Sequence, residues 1–131
     1  MKLKELLNIR EPLKQLSEKH FINFKTVRAL ADLIKAINVE LEFFETESNK
    51  LVKLYAELND FGEPKVLPNG NLQLKTPEDK VAFNKEYDNL LNLDISDKIK
   101  TITISESDFK SAAELPTPLE MSALDCIIKW E

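Results

Sequence analysis

The 131-residue chain is short of the residues on which most protein chemistry depends: one cysteine, one histidine, one tryptophan and two glycines. A single cysteine, Cys126, excludes an intrachain disulfide and any zinc site built from several thiolates. It lies between Leu124 and Ile127 with no histidine nearby, so neither a base nor a depressed pKa is in view to make it a nucleophile. It reads as a small semi-buried residue. His20, the lone histidine, continues the apolar stripe of the first helical segment into a turn and reads as a helix-end or interface residue rather than a base. The two glycines, Gly62 and Gly70, stand eight apart with Pro64 and Pro68 between them. That spacing makes neither a Walker loop nor a dinucleotide-binding turn, and no serine nucleophile elbow occurs.

Long apolar runs are also missing, which argues against a membrane-spanning helix. The start, Met1-Lys2-Leu3-Lys4-Glu5-Leu6-Leu7, carries an acid and a second lysine where a secretory signal needs an apolar core. A cytosolic location is the default expectation. No dense basic stripe marks a nucleic-acid surface. The net charge is −5, and it is uneven. Residues 1–30 hold seven Lys/Arg against three Asp/Glu, or +4; the remainder hold eleven against twenty, or −9.

What the chain has is hydrophobic periodicity. Residues 2–19 form an amphipathic pattern on Leu3, Leu6, Leu7, Leu13 and Leu16, with Pro12 either kinking this helix or beginning a second. His20 to Thr26 loses the period and predicts a turn. Val27, Leu30, Ile34, Ile37, Leu41, Phe44, Ser48, Leu51, Tyr55 and Leu58 then alternate spacings of three and four, and no Pro or Gly falls between Lys25 and Phe61. This heptad seam predicts a helix of about 50 Å, ended by Gly62. Folding of 2–19 back along it, as an antiparallel helical hairpin, brings Lys2 and Lys4 beside Glu40, Glu42, Glu45 and Glu47.

Beyond Gly62 the pattern changes. Lys65-Val66-Leu67 and Leu72-Gln73-Leu74 flank Pro68-Asn69-Gly70-Asn71, which predicts a two-stranded ribbon about an Asn-Gly turn. Thr76-Pro77-Glu78-Asp79 and Thr117-Pro118-Leu119-Glu120 each carry cap and Pro chemistry for a helix start. The first helix places Val81, Phe83, Tyr87, Leu90 and Leu91 inward; the second places Leu119, Leu124, Ile127 and Ile128 inward and carries Trp130 at its last turn. Residues 98–104, with Ile99, Ile102 and Ile104, predict a strand. The fold class expected is α+β, mostly α: one domain over 1–131, with a helical hairpin in 1–60 and a mixed part in 61–131.

Few residues point to a site. Glu40, Glu42, Glu45 and Glu47 lack the Glu-x-x-His partner of di-metal bundles and have Leu41 and Phe44 between them, so a solvated acidic face is the expectation. Asp88, Asp94 and Asp97 lack calcium-loop spacing. Val39 and Phe43, at i and i+4 away from the seam, put apolar groups on that acidic face, either as a second contact surface or under the C-terminal elements. Leu51, Tyr55 and Leu58 form the seam's far end, which the first helical segment is too short to cover. These nine residues are the candidate interaction surface. No catalytic, metal or cofactor residue is expected.

The order of features resembles a family of small, functionally uncharacterised proteins of tailed phages and prophages of Gram-positive bacteria. The resemblance rests on Phe24-Lys25-Thr26, Leu30-Ala31-Asp32-Leu33-Ile34, Glu40 to Glu45, Asn59-Asp60-Phe61-Gly62-Glu63, Pro68 to Leu74, Phe83 to Leu91, the Ile-rich strand and Thr117 to Asp125. It departs at Phe21-Ile22-Asn23, where Leu-Pro is expected. It implies a phage-like protein of a bacterial host's cytoplasm or of the virion, with no catalytic residue carried over. The length of the long helix beyond what the first segment covers points to a protein partner, either a second copy (a homodimer or higher oligomer) or a virion or host protein. The charge pattern and the short apolar runs point to no nucleic acid and no membrane. The alternatives are a small acidic inhibitor of a host enzyme or defence system, and an enzyme.

Overall fold

The computed structural model describes residues 1–131. It is mixed helix and strand, dominated by helix. In chain order come α1 (Leu3–Leu7), α2 (Arg10–Ser17), α3 (Phe24–Tyr55), α4 (Pro77–Leu91), β1 (Ile102–Ile104), α5 (Pro118–Ala123) and β2 (Ile128–Trp130). Two compact units divide these elements: Met1–Leu41 with Asp94–Glu131, and Glu42–Leu93. Their boundaries lie at 41/42 and 93/94. Helix α3 belongs to both.

The first unit holds nearly all of the core. Leu3, Leu6, Ile9, Leu13 and Leu16 are buried from the N-terminal helices, and Leu30, Leu33, Ile37 and Leu41 from α3. Residues 2–19 do not make one helix. The chain breaks at Asn8-Ile9, and Pro12 becomes the third residue of α2, where its missing N–H has no intrahelical acceptor to lose. Asn23 caps α3: its Oδ1 accepts from the Thr26 N–H at 2.8 Å and the Thr26 hydroxyl at 3.0 Å.

The long antiparallel hairpin expected over 1–60 is not found. Its first arm is two helices of five and eight residues, against an α3 of 32. The buried stripe of α3 accordingly follows a single helix's 3.6-residue period, Leu30-Leu33-Ile37-Leu41, and leaves Val27 exposed. The backbone of Lys2 bridges to Asp94, and the Ile95 N–H donates to the Met1 carbonyl at 2.9 Å.

The sheet in this unit is parallel and two-stranded, with Ile102, Thr103 and Ile104 in register with Ile128, Lys129 and Trp130. The crossover between its strands holds two 3-10 turns, Glu106–Asp108 and Ala112–Glu114, followed by α5. The capping chemistry of α5 is as expected, with the Thr117 hydroxyl accepting from the Glu120 N–H at 3.2 Å. Its length is not. It stops at Ala123, so Ile127 and Ile128 are buried by a turn and a strand while Leu119 lies in solvent. Trp130 packs back, its Nε1 donating to the Met121 carbonyl at 2.9 Å.

In the second unit α3 ends at Tyr55, before the glycine expected to end it. The Glu57 N–H leaves the helical ladder for the Gln73 carbonyl, 2.8 Å away. Leu58, expected on the helix, instead lies in extended chain paired with Pro64. Helix α4 begins as its sequence implies, with the Thr76 Oγ1 accepting from the Asp79 N–H at 3.0 Å and Pro77 in the first position. Val81, expected inward, is 70% exposed.

Candidate interaction surface

The loop region between α3 and α4 is a three-way junction rather than one ribbon. Three short antiparallel pairings, Ala56 with Leu74, Leu58 with Pro64 and Val66 with Leu72, radiate from it. At the centre the Glu57 N–H donates to the Gln73 carbonyl (2.8 Å), the Gln73 N–H to the Lys65 carbonyl (2.9 Å) and the Lys65 N–H to the Glu57 carbonyl (2.8 Å). Donor and acceptor of all three residues are thereby used within a closed ring.

Two turns of the same construction make this possible. In Asn59-Asp60-Phe61-Gly62 the Gly62 N–H returns to the Asn59 carbonyl (3.0 Å), and the Asn59 N–H donates to the Glu63 carbonyl (2.8 Å). Eight residues on, Gly70 returns to Leu67 (2.9 Å) and Leu67 donates to Asn71 (2.7 Å). Gly62 and Gly70 have φ of +78° and +87°, and no other residue type has a positive φ. This is a three-residue hairpin loop closed by a glycine bulge, not the turn with Asn and Gly both at positive φ that the Asn-Gly pair suggests. Asn59 Oδ1 stiffens the first turn further by accepting from the Phe61 and Glu63 N–H groups at 2.9 and 3.0 Å.

Because side chains alternate along extended chain, the junction has two chemically distinct faces. The paired residues Ala56, Leu58, Pro64, Val66, Leu72 and Leu74 are all apolar. Glu57, Lys65 and Gln73 point the other way. There the Gln73 Nε2 donates to Glu57 Oε2 at 2.7 Å, and Lys65 Nζ stands 3.4 Å from Oε1.

A groove of about 1050 Å³ lies against this region. Val52, Leu72, Phe83 and Tyr87 give it a half-buried apolar and aromatic lining, and exposed Lys75 and Lys80 supply its charge, with no carboxylate among the lining residues. The rings behind it form a ladder: Tyr55 edge-on to Phe83 (6.4 Å between centroids), Phe83 stacked on Tyr87 (5.6 Å), Tyr87 edge-on to Phe44 (6.0 Å). A hydrogen bond to the Glu86 carboxylate, with partial desolvation, holds the Tyr55 hydroxyl above its ordinary pKa.

Of the nine residues singled out from the sequence, Leu51, Tyr55 and Leu58 are half-buried within the second unit. Val39 and Phe43 stay 58% and 42% exposed. Glu42 and Glu45 are exposed, Glu40 is half-buried, and Glu47 pairs with Lys50 of its own helix at 3.0 Å. One exposed apolar residue that sequence reasoning missed is Phe61. It is 89% exposed at the tip of the first turn, and its place immediately before Gly62 is the signal that it sits on a turn.

In the first unit, His20 ties the α2–α3 turn to the second 3-10 turn. Its Nδ1 meets Glu114 Oε1 at 3.0 Å, its N–H donates to Oε2 at 3.0 Å, and its carbonyl accepts from the Lys110 N–H at 3.0 Å. The side-chain and then the backbone hydrogen bond from His20 hold the Glu114 carboxyl below its ordinary value. Cys126, read as semi-buried, is exposed, with partial desolvation and nearby Glu5 pushing its thiol up. No three His, Cys, Asp or Glu residues are grouped closely enough to hold a metal ion, and no helix is long and apolar enough to cross a membrane. Compared with protein-family models, curated proteins and solved structures, the chain matches none.

Proposed function

We infer that this chain acts by protein–protein contact rather than catalysis, and that self-association is its first mode. One observation carries the reading. Between residues 42 and 93 only Ala56 and Leu90 are fully buried, while Phe43, Leu54, Phe61, Val66, Leu67, Val81 and Leu93 remain exposed. A unit of this size buries too little apolar surface to be well stabilised alone, and its exposed large apolar groups are available for a partner to bury. The phage-like order of sequence features agrees with a role in assembly with itself or with a virion or host protein, in the host cytoplasm or the virion.

Sedimentation velocity of the purified chain across a micromolar concentration series tests this. The weight-average sedimentation coefficient rises with concentration if the reading holds; a monomer throughout removes self-association.

A second reading, a small acidic inhibitor, draws on exposed Glu42 and Glu45 in a stretch with no basic residue from 36 to 49. It predicts that reversing Glu40, Glu42, Glu45 and Glu47 to lysine abolishes host-protein capture. Capture that survives the reversal excludes it.

A further inference from the structure

We propose that the Phe61 turn of one copy inserts into the Lys75/Lys80 groove of a second copy, making a reciprocal dimer through residues 42–93. This deepens the self-association reading and rests on it. The knob is preformed. Asn59 fixes the turn through its carbonyl and its side chain, and Gly62 supplies the backbone bend. Little conformational freedom therefore remains to be lost when Phe61 is buried. Its flanking carboxylates, Asp60 and Glu63, are exposed and held in no ion pair of their own.

The hole has the opposite chemistry. Half-buried Phe83 and Tyr87 offer ring faces and edges to an incoming phenyl group. The Lys75 ammonium makes one long contact, 3.4 Å to the Leu54 carbonyl, and neither it nor the Lys80 ammonium pairs with a carboxylate. The groove is far larger than one phenyl ring, so the whole turn enters with its two acids beside the two lysines. Phe61 does not line the groove of its own chain, so the knob does not fill its own hole. Knob and hole lie on the same unit, so two copies related by a two-fold axis satisfy both at once, and the contact closes instead of propagating into a fibre.

The test uses the full chain in sedimentation velocity, with circular dichroism to establish that each variant is folded. Phe61→Ala weakens self-association at least about tenfold, as truncation of a central aromatic anchor does. Two charge-reversed variants, Asp60→Lys with Glu63→Lys and Lys75→Glu with Lys80→Glu, each fail to self-associate, and mixing them restores a dimer. Misfolding of either variant does not produce that restoration. Wild-type dimerisation unaffected by these changes, or reversed variants that stay apart when mixed, overturns the proposed contact and leaves self-association standing. A wild-type chain that is monomeric at its highest soluble concentration overturns both.

Discussion

Glu57 and Gln73, sixteen positions apart, are joined twice: the Glu57 N–H reaches the Gln73 carbonyl at 2.8 Å, and the Gln73 side-chain amide reaches the Glu57 carboxylate at 2.7 Å. The main-chain bond redirects the chain out of α3. The side-chain bond, made to a charged acceptor, fixes which residue sits opposite.

Removing that side-chain bond tests what holds the junction. Gln73→Ala is expected to lower stability by about 1 kcal/mol, below the usual range for a hydrogen bond to a charged group because Glu57 is partly solvated. Hydrogen exchange gives the sharper readout. The Glu57, Lys65 and Gln73 amides form one closed ring, so all three lose protection together in the variant. Loss confined to Glu57 refutes a cooperative ring.

The two glycines serve backbone geometry alone. A Cβ at either Gly62 or Gly70 meets nothing within 4 Å, so alanine there costs only the strain of a positive φ, about 1 kcal/mol at each site. Asparagine, which tolerates that conformation, costs less. Thermal denaturation of Gly70→Ala and Gly70→Asn separates the two; equal losses point instead to a steric role.

On α3, two neighbouring apolar positions behave oppositely. Ile37 is 1% exposed, and Ile37→Ala is expected to cost about 2–4 kcal/mol through lost burial and a cavity. Val39→Ala lies in solvent and falls within about 0.5 kcal/mol of wild type. Denaturant titrations of the two variants check this, and a costly Val39→Ala means something in the fold covers it.

Acid weakens the first unit in a defined direction. Glu114 and Asp94 both have folded-state pKa values below their ordinary 4.5 and 3.8, Glu114 chiefly through the His20 side chain and Asp94 chiefly through the Ser96 hydroxyl. A depressed carboxylate contributes stability that is fully present above its ordinary value and is lost as pH falls through the depressed one. The denaturant midpoint therefore drops as pH falls below the range 4.5 to 3.8, and Glu114→Gln with Asp94→Asn shows a flatter profile there. An identical acid profile in that double variant assigns the loss to other groups.

Local chemistry was the legible part of this chain. The helix starts at Thr76-Pro77 and Thr117-Pro118, the long helix on Leu30, Ile37 and Leu41, and the strand at Ile102 to Ile104 follow from signals within a few residues of each other. What the sequence concealed depends on distant partners. The end of α3 at Tyr55 is set by Gln73 and Lys75, whose groups displace helical hydrogen bonding across sixteen or more residues. The seam past Phe44 has the same apolar spacing as the seam before it, yet it reaches no full burial before Ala56, because spacing gives the face a helix presents and not what meets it. Of the candidate surface, Val39 and Phe43 were readable as outward-facing from the helical period, whereas the groove of Phe83, Tyr87, Lys75 and Lys80 joins two helices and a loop that no single period connects.

The closed ring of Glu57, Lys65 and Gln73 also governs how chain length here can vary. Each step between ring members is eight residues, and every step must return its strand to the same point. One residue inserted between Glu57 and Lys65, or between Lys65 and Gln73, flips the arm behind it, turning apolar side chains onto the charged face and charged ones onto the apolar face. Length changes are therefore admissible only beyond the turn-closing pairs, at the tips, and there only in numbers that keep the two arms in phase.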